Sequence, residues 1–221
     1  MDNEIQIDGL EIEKFNTPID DLEVENVHLT IVETDESGSM RSYESVMRQN
    51  LEDFKEALLG SKESDEMLVA RGHFASNISI GGYKKIEEFD TEYYAGGVTK
   101  LYDAIVDGVK KLMDYRAFLK NESMRVKAVF AVFSDGEDQG STHKFQEAKD
   151  AISQLNSEEI TTAFICFGSY AKDEATNLGF MNILDVNNST ASDLRKAFDC
   201  LSKSVIASSK SVVNVNDNFF V

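Results

Sequence analysis

Three oxygen-bearing side chains, Asp35, Ser37 and Ser39, follow one apolar run at every second position. The run 29–34 has the pattern of a strand, and a helical pattern with apolar residues on one face starts directly after the polar residues. In an extended turn, side chains two positions apart point the same way, so the three oxygens face one point. Because hard oxygen donors suit a small hard cation, the stretch predicts a site for Mg²⁺ or Mn²⁺.

Two later turns carry residues of the same chemistry. Thr99 lies in a Gly-containing loop just before a second helical pattern, and Asp135 begins an Asp-Gly turn at the end of another apolar strand pattern. Strand–helix–strand order brings such turns to one edge of a parallel sheet, where ligands bind in open α/β folds. Each residue alone has an ordinary explanation, because Ser and Thr cap helices and Asp-Gly forms turns. Taken one by one, the five residues therefore do not decide between a metal site and these ordinary roles.

With these five residues in this order, the chain resembles the von Willebrand factor type A domain. The metal-ion-dependent adhesion site (MIDAS) of that family reads Asp-x-Ser-x-Ser, then a distant Thr, then a distant Asp. The resemblance implies that Ser37 and Ser39 bind the metal directly, and that Thr99 moves between direct and water-mediated contact. It implies that Asp35 and Asp135 bind the metal directly or hold its coordinated waters. It also implies that an open coordination position accepts an Asp or Glu of a partner protein.

The resemblance covers roughly residues 27–208, which we interpret as one type A domain. Residues 1–26 are then an N-terminal arm or an added edge hairpin, and residues 209–221 a C-terminal tail. The last helical pattern, 193–205, is similar to that of small stand-alone bacterial type A proteins linked to tellurite-resistance and stress operons. The first residues lack the basic and apolar regions of a signal peptide, and no apolar run reaches the ~18 residues of a membrane helix. We therefore expect a bacterial, cytoplasmic protein.

Composition narrows the classes of partner. The 221 residues include 22 Lys and Arg against 40 Asp and Glu, which gives a net charge of -18. Nucleic acids and anionic membranes both require a basic surface, so neither is an expected partner. With 42% hydrophobic residues, the chain is long enough for one buried core. The two cysteines are expected as free thiols, since no export signal is present.

Strand and helix patterns alternate along the chain. The strand patterns are 27–34, 67–74, 79–89, 126–133, 160–167 and 181–186, and the helical patterns begin near residues 40, 101, 145, 172 and 193. This alternation predicts an α/β fold, with a doubly wound, mostly parallel sheet and helices on both faces. The second and third strands are close enough in sequence for a hairpin, which adds one antiparallel edge strand. Gly81 and Gly82 predict a bulge or bend in the third.

Side chains near the predicted metal are candidates for partner contact. Tyr93 and Tyr94 lie in the loop before the threonine, and they either anchor an interface, where Tyr is enriched, or pack the loop. Glu36, Glu137 and Asp138 either ring the metal or form a solvated acidic rim. Such a rim would repel acidic partners and so tune the ligands that the site accepts.

Three classes of function compete for this site. The first is a binding module, not an enzyme, that docks a partner's acidic side chain through the metal. The second is a metal-dependent phosphohydrolase with Asp35 as nucleophile; phosphatases of the haloacid dehalogenase type need a second Asp where Ser37 stands, and no Walker loop is present. The third is a scaffold with an incidental metal site. The histidines show no spacing for a metal or catalytic pair, and His28 and His73 fit packing positions on strands.

Overall fold

Seven strands form one sheet in the residues that the structure, a computed structural model, describes: 16–17, 26–62, 67–186, 190–210 and 219–220. The strands are β1 Asn26–Asp35, β2 Met67–Phe74, β3 Ile78–Ile80, β4 Lys84–Lys85, β5 Arg125–Ser134, β6 Thr161–Phe167 and β7 Asn182–Val186. The α-helices are α1 Glu44–Leu59, α2 Leu101–Asn121, α3 Phe145–Ser157, α4 Gly168–Leu178 and α5 Ala191–Lys210. Short 3₁₀ helices span Gly38–Tyr43 and Ile86–Glu88.

The strand order confirms the predicted fold class. Along the sheet the order is β3-β2-β1-β5-β6-β7, and β4 also pairs with β2. The pairs β1–β2, β1–β5, β5–β6 and β6–β7 are parallel, whereas β3 and β4 both run antiparallel to β2. The sheet is therefore mostly parallel with an antiparallel edge.

Each face of the sheet buries its own apolar cluster. Leu29 and Ile31 of β1 point to one face, where they join buried side chains of α2, α3 and α4. Val32, next along the strand, points to the other face, where it joins buried side chains of α1 and α5. This alternation along a strand is the geometric reason that helices cover both faces.

The register of the central strands determines where the turns that carry the candidate metal residues lie. Thr34 of β1 pairs with Phe133 of β5, so the two strands end level and Asp35 lies beside Ser134. On the other side, Asp35 pairs with Phe74 at the end of β2. The turns that follow β1 and β5 therefore leave the sheet next to each other, as the strand order predicts.

The predicted strand 79–89 is the clearest difference from expectation. It is divided into β3, β4 and the 3₁₀ helix Ile86–Glu88. The division occurs at the two glycines, where the Gly81 N–H donates to the Arg71 carbonyl of β2 (2.9 Å). The sequence predicted a bulge or bend within one strand at these glycines, whereas the structure divides the strand there.

Parts of the predicted arm and tail contact the domain. The Thr17 N–H donates to the Tyr83 carbonyl (2.8 Å), and the Tyr83 N–H donates to Asn16 Oδ1 (2.6 Å). Phe219 is buried against the α1–α5 face of the sheet. Most of the arm 1–26 and of the tail 209–221 lies outside the described residues.

Cys166 and Cys200 form no disulfide in the described part of the chain, and burial raises the pKa of the Cys166 thiol to about 12. Within the described part of the chain, no helix combines the length and the apolar character needed to cross a membrane.

Candidate metal centre

Asp35 is fixed from two directions at the end of β1. Its side chain is fully buried; Oδ1 accepts the Ser37 N–H (2.9 Å) and Oδ2 accepts the Ser134 hydroxyl (2.7 Å). The Ser134 hydroxyl oxygen in turn accepts the Gly136 N–H (3.0 Å). The carboxylate therefore ties the turn after β1 to the turn after β5, and Ser134 is a positioning residue that sequence reasoning missed.

The hydroxyl oxygens converge as the motif predicts. Ser37 Oγ lies 3.0 Å from Ser39 Oγ, and the Ser39 hydroxyl donates to Asp135 Oδ2 at 2.5 Å. Adjacent ligands of an octahedral Mg²⁺ at 2.0–2.1 Å are about 2.9 Å apart. The Ser37–Ser39 distance is that of neighbouring metal ligands, and the shorter Ser39–Asp135 contact is a hydrogen bond that holds the two side chains side by side.

Neither Ser37 nor Thr99 caps a helix with its side chain, which was the ordinary explanation for these residues. Ser37 is at the N-cap position of the 3₁₀ helix, but its side chain makes no capping hydrogen bond. The N-cap position of α2 is Lys100, not Thr99. The first N–H groups of α2 are capped instead by the loop after β5, since Tyr102 N donates to Asp138 Oδ1 (3.3 Å) and Asp103 N donates to Ser141 Oγ (3.1 Å).

Backbone hydrogen bonds hold Thr99 between the other two turns. The Gly38 N–H donates to the Gly97 carbonyl (3.0 Å), which joins the first turn to the Thr99 loop. The Thr99 carbonyl accepts the N–H groups of Gln139 (3.0 Å) and Gly140 (2.9 Å), which joins the loop to the third turn. Gly97 has φ +89, and a Cβ there would lie 2.3 Å from Ser76 Oγ, so this turn requires glycine. All five predicted metal residues are therefore brought to one edge of the sheet.

The donor set determines which cation fits. The centre offers two carboxylates, Asp35 and Asp135, and three hydroxyls, Ser37, Ser39 and Thr99, all hard oxygen donors. In the described ranges, no group of three or more His, Cys, Asp or Glu side chains is placed to hold a metal. A soft, sulfur-rich or histidine-rich site is thus absent from that part of the chain. The residues present fit a small divalent cation such as Mg²⁺ or Mn²⁺.

Burial sets the protonation of Asp35. Desolvation raises the pKa of its carboxyl to about 6, hydrogen bonds from Ser37 and Ser134 lower the pKa, and the negative charge of Asp135 raises it again. A nearby cation would favour the charged form of both carboxylates. Without a cation, the same two groups repel each other across the turn.

Of the two candidate tyrosines, only Tyr94 is accessible. Its side chain is 63% exposed. Tyr93 is fully buried, and its hydroxyl donates to the Asp35 backbone carbonyl. The prediction of Tyr93 as a partner contact is therefore wrong, and the packing alternative applies, because its ring is buried and its hydroxyl holds the backbone of the first turn.

The three predicted acidic neighbours differ in role. Glu137 is exposed, and its carboxylate accepts a hydrogen bond from Gln139 Nε2 (2.9 Å). Glu36 is buried, and Asp138 caps α2 as described above. Of the three, only Glu137 fits the expected solvated rim, because Glu36 is buried and the half-buried Asp138 carboxylate accepts hydrogen bonds from Tyr102 N and the Ser141 hydroxyl.

Glu36 is part of a charge network that was not predicted. Its Oε1 lies 2.6 Å from His73 Nδ1 and 3.6 Å from Arg71 Nη2, and His73 Nε2 lies 3.1 Å from Asp90 Oδ2. His73 is thus a link between the first turn and the loop that precedes Thr99, not only a packing residue. The contact between His73 and Glu36 could not be predicted from the sequence, since it depends on the pairing of β1 with β2.

Asp103 also links two segments near the centre, in this case α2 and the segment after the Asp135 turn. It is buried, and its carboxylate accepts the N–H groups of Thr142 (2.9 Å) and His143 (2.7 Å). These bonds join α2 to the segment that follows the Asp135 turn. The role of Asp103 was also missed, although its position four residues after Thr99 was visible.

We expect Ser134→Ala to weaken Mg²⁺ binding about tenfold, because Asp35 Oδ2 and the Gly136 N–H both lose their partner. Ser134→Thr keeps the hydroxyl and is the matched control, with affinity expected within about threefold of the wild type. Calorimetric titration of Mg²⁺ into both variants measures the effect. Equal affinities for the two variants would show that Ser134 does not position the metal carboxylate.

Comparisons with known proteins agree with the fold. The structure is similar to the PilB minor pilin from Streptococcus sanguinis, with a TM-score of 0.62 and 12% identity over 84% of this chain and 63% of that chain. It is similar to a von Willebrand factor type A protein from Catenulispora acidiphila, with a TM-score of 0.59 and 12% identity over 82% of this chain and 43% of that one.

A third similar structure is proximal thread matrix protein 1 from the mussel byssus with a zinc-occupied MIDAS motif. Its TM-score is 0.57, with 19% identity over 83% of this chain and 46% of that chain. No protein-family model matches this chain, and no curated protein matches it. The chain spans less than two thirds of the length of each of these three structures. On the evidence of strand order, helix placement and these neighbours, the chain has a von Willebrand factor type A-like fold.

Proposed function

We propose that the chain is a metal-dependent protein-binding module that docks an Asp or Glu of a partner protein through Mg²⁺ or Mn²⁺. The observation that carries the proposal is the hydrogen-bonded cluster of Asp35, Ser37, Ser39 and Asp135 at the exposed edge of the sheet. Thr99 completes the donor set of the MIDAS pattern. Zinc at a MIDAS motif in the mussel protein supports a divalent cation in this position.

The donor set explains why a carboxylate is the expected ligand. When bound, the cation supplies electrostatic attraction for an anionic group at a coordination position that the protein leaves open. Ser37, Ser39 and Thr99 contribute neutral oxygens, so within the donor set only Asp35 and Asp135 reduce the positive charge of the cation. The N-terminal end of the helix after Ser37 adds a positive potential in the same place, and Asp35 and Asp135 offset it. The balance favours one further carboxylate from outside the chain.

The geometry gives less support to phosphoryl transfer. A nucleophilic carboxylate must reach the substrate, whereas Asp35 is fully buried and both of its oxygens accept hydrogen bonds from the chain. The position two residues on is Ser37, not a second Asp. We propose that the module is not an enzyme; Mg²⁺-dependent hydrolysis of p-nitrophenyl phosphate that is lost in Asp35→Asn would contradict this part of the proposal.

The setting is part of the same proposal. The pattern of the final helix, α5, resembles that of stand-alone bacterial type A proteins linked to tellurite resistance and stress, and this supports a bacterial, cytoplasmic role. The three similar structures do not decide the setting, since identities of 12% to 19% indicate the fold alone.

A pair of displayed peptide libraries tests the docking function. One library has random seven-residue segments with Glu fixed at the centre, and the other has Gln there. We expect enrichment on the Mg²⁺-loaded protein from the Glu library alone, and we expect EDTA or Asp35→Ala to remove it. Equal enrichment from both libraries, or enrichment that survives Asp35→Ala, would reject docking through the metal and favour the scaffold alternative.

A further inference from the structure

Exposed apolar side chains are concentrated around the metal centre. Five large apolar side chains are exposed in the described residues, and three of them lie next to the centre: Tyr94 (63% exposed) and Val98 (44%) on the loop before α2, and Tyr170 (58%) in the first turn of α4. We call these three the apolar rim. The other two, Leu59 and Met181, lie elsewhere: Leu59 ends α1, and Met181 precedes the amino end of β7. Single exposed apolar residues are common, but three around one site indicate an interaction surface.

Each member of the rim is adjacent to a different part of the centre. Val98 directly precedes Thr99, and a Cβ on Gly140 would lie 3.1 Å from Val98 Cγ2, so Val98 packs on the loop that follows Asp135. Tyr170 is in the first turn of α4. That turn touches the Asp135 turn, because a Cβ on Gly136 would lie 2.5 Å from the Cα of the neighbouring residue, Ala171.

Tyr94 is supported from the side of α1. The Arg48 guanidinium lies 5.1 Å from the centre of the Tyr94 ring, and it also donates to the Tyr93 carbonyl (2.9 Å). Glu44 Oε1 accepts from the same guanidinium at 2.8 Å. The loop position of Tyr94 is thus set before any partner arrives, which lowers the entropy cost of using its ring as an anchor.

The charges near the rim restrict the partner further. Glu137 is exposed, and its N–H donates to Asp135 Oδ1 (3.2 Å), so its carboxylate stands beside the centre. The whole chain carries a net charge of -18. One carboxylate of a partner is attracted by the cation, but further carboxylates would meet like charge. A neutral or basic surface around a single acid complements this edge of the protein.

We infer that the apolar rim selects the partner, and that the partner is a protein segment with one Asp or Glu between apolar side chains on an otherwise neutral or basic surface. The inference rests on the proposed function, since the acid is held by the metal. The rim side chains make a desolvated border around the metal–carboxylate contact, as apolar residues do around the central contacts of other interfaces.

The test uses the segments enriched from the Glu library. Their affinity for the Mg²⁺-loaded protein is measured for Tyr94→Ser, Val98→Ser and Tyr170→Ser, with Leu59→Ser and Met181→Ser as matched controls. We expect each tyrosine variant to lose about tenfold in affinity, with Mg²⁺ affinity and thermal unfolding unchanged. The controls should bind as the wild type does. Enriched segments should carry apolar residues next to the central Glu and no second acid.

The outcomes separate the two proposals. If the rim variants and the control variants bind the Glu segments with equal Mg²⁺-dependent affinity, the rim inference is overturned and docking through the metal remains intact. Enriched segments rich in further acids would overturn it as well. The absence of any Mg²⁺-dependent enrichment would overturn the proposed function and the rim inference together.

Discussion

Asp35→Ala is expected to remove Mg²⁺ binding, with a loss of affinity of at least about a hundredfold. The carboxylate is one of only two in the donor set, and its hydrogen bonds to Ser37 and Ser134 hold the first and third turns together. Calorimetric titration of the chelated protein measures the change. Asp35→Asn keeps the size of the side chain, and it separates the loss of charge from any loss of packing.

A matched control is available beside the site. Glu137→Gln removes one exposed negative charge near Asp135 without changing a metal donor, so we expect Mg²⁺ affinity within about threefold of the wild type. Loss of binding in Asp35→Ala together with retention in Glu137→Gln assigns the effect to coordination. A titration of Asp35→Ala that matches the wild type would mean that the cation binds elsewhere or not at all.

The second large effect concerns Glu33, a carboxyl inside the sheet–helix interface. It is fully buried, and neither of its oxygens has a hydrogen-bond partner in the described residues. Cβ atoms on Gly72 and Gly108 would lie 2.0 and 2.5 Å from its oxygens, so two glycines provide the space that the carboxyl occupies. Burial raises the pKa of Glu33 to about 8; the positive charge of Arg71 lowers this pKa in part.

We expect Glu33→Gln to gain stability over the wild type as the pH rises. The folded protein holds the Glu33 proton up to a pKa of about 8, whereas the unfolded chain releases it near 4.5. The free energy of unfolding of the wild type is therefore unaffected by this group below about pH 4.5, and it falls progressively between pH 4.5 and pH 8. At ~1.4 kcal/mol per pH unit, the difference between variant and wild type should grow by about 3 kcal/mol from pH 5 to pH 7.5.

Urea unfolding across this pH range measures the difference. Glu56→Gln, an exposed site on α1, is the control and should follow the wild type at every pH. If the free energies of unfolding of Glu33→Gln and the wild type run parallel from pH 5 to pH 8.5, the carboxyl is not buried with its proton, and this account of the interface fails.

Periodicity predicted most of the fold, and motif order predicted that the five candidate metal residues lie at one edge of the sheet. Long apolar strands such as β5 and amphipathic helices such as α2 leave a clear pattern, because each buries one face or both faces. The order of Asp35, Ser37, Ser39, Thr99 and Asp135 along the chain then placed three turns at one edge of the sheet. The two apolar clusters on either side of the sheet follow from the same alternation.

The features that were missed depend on contacts between distant segments. Tyr93 and Tyr94 are neighbours in an irregular loop, where no period tells the buried ring from the exposed one. The link from His73 to Glu36 requires the parallel pairing of β1 with β2. Glu33 lies in a strand pattern as an isolated acid, and its burial follows only from glycines on β2 and α2. Local pattern carries no information about such contacts.

Thermal unfolding of the chelated protein against added Mg²⁺, Mn²⁺ and Ca²⁺ tests the central claim most directly. A ligand that binds only the native state stabilises it by ~2.7 kcal/mol at a hundredfold excess over its dissociation constant. For a chain of this size that corresponds to a rise of about 5–10 °C in the midpoint. We predict such a rise with Mg²⁺ and Mn²⁺, and its loss in Asp35→Ala. A midpoint that stays constant with all three ions at millimolar concentration would contradict a metal centre at this edge of the sheet.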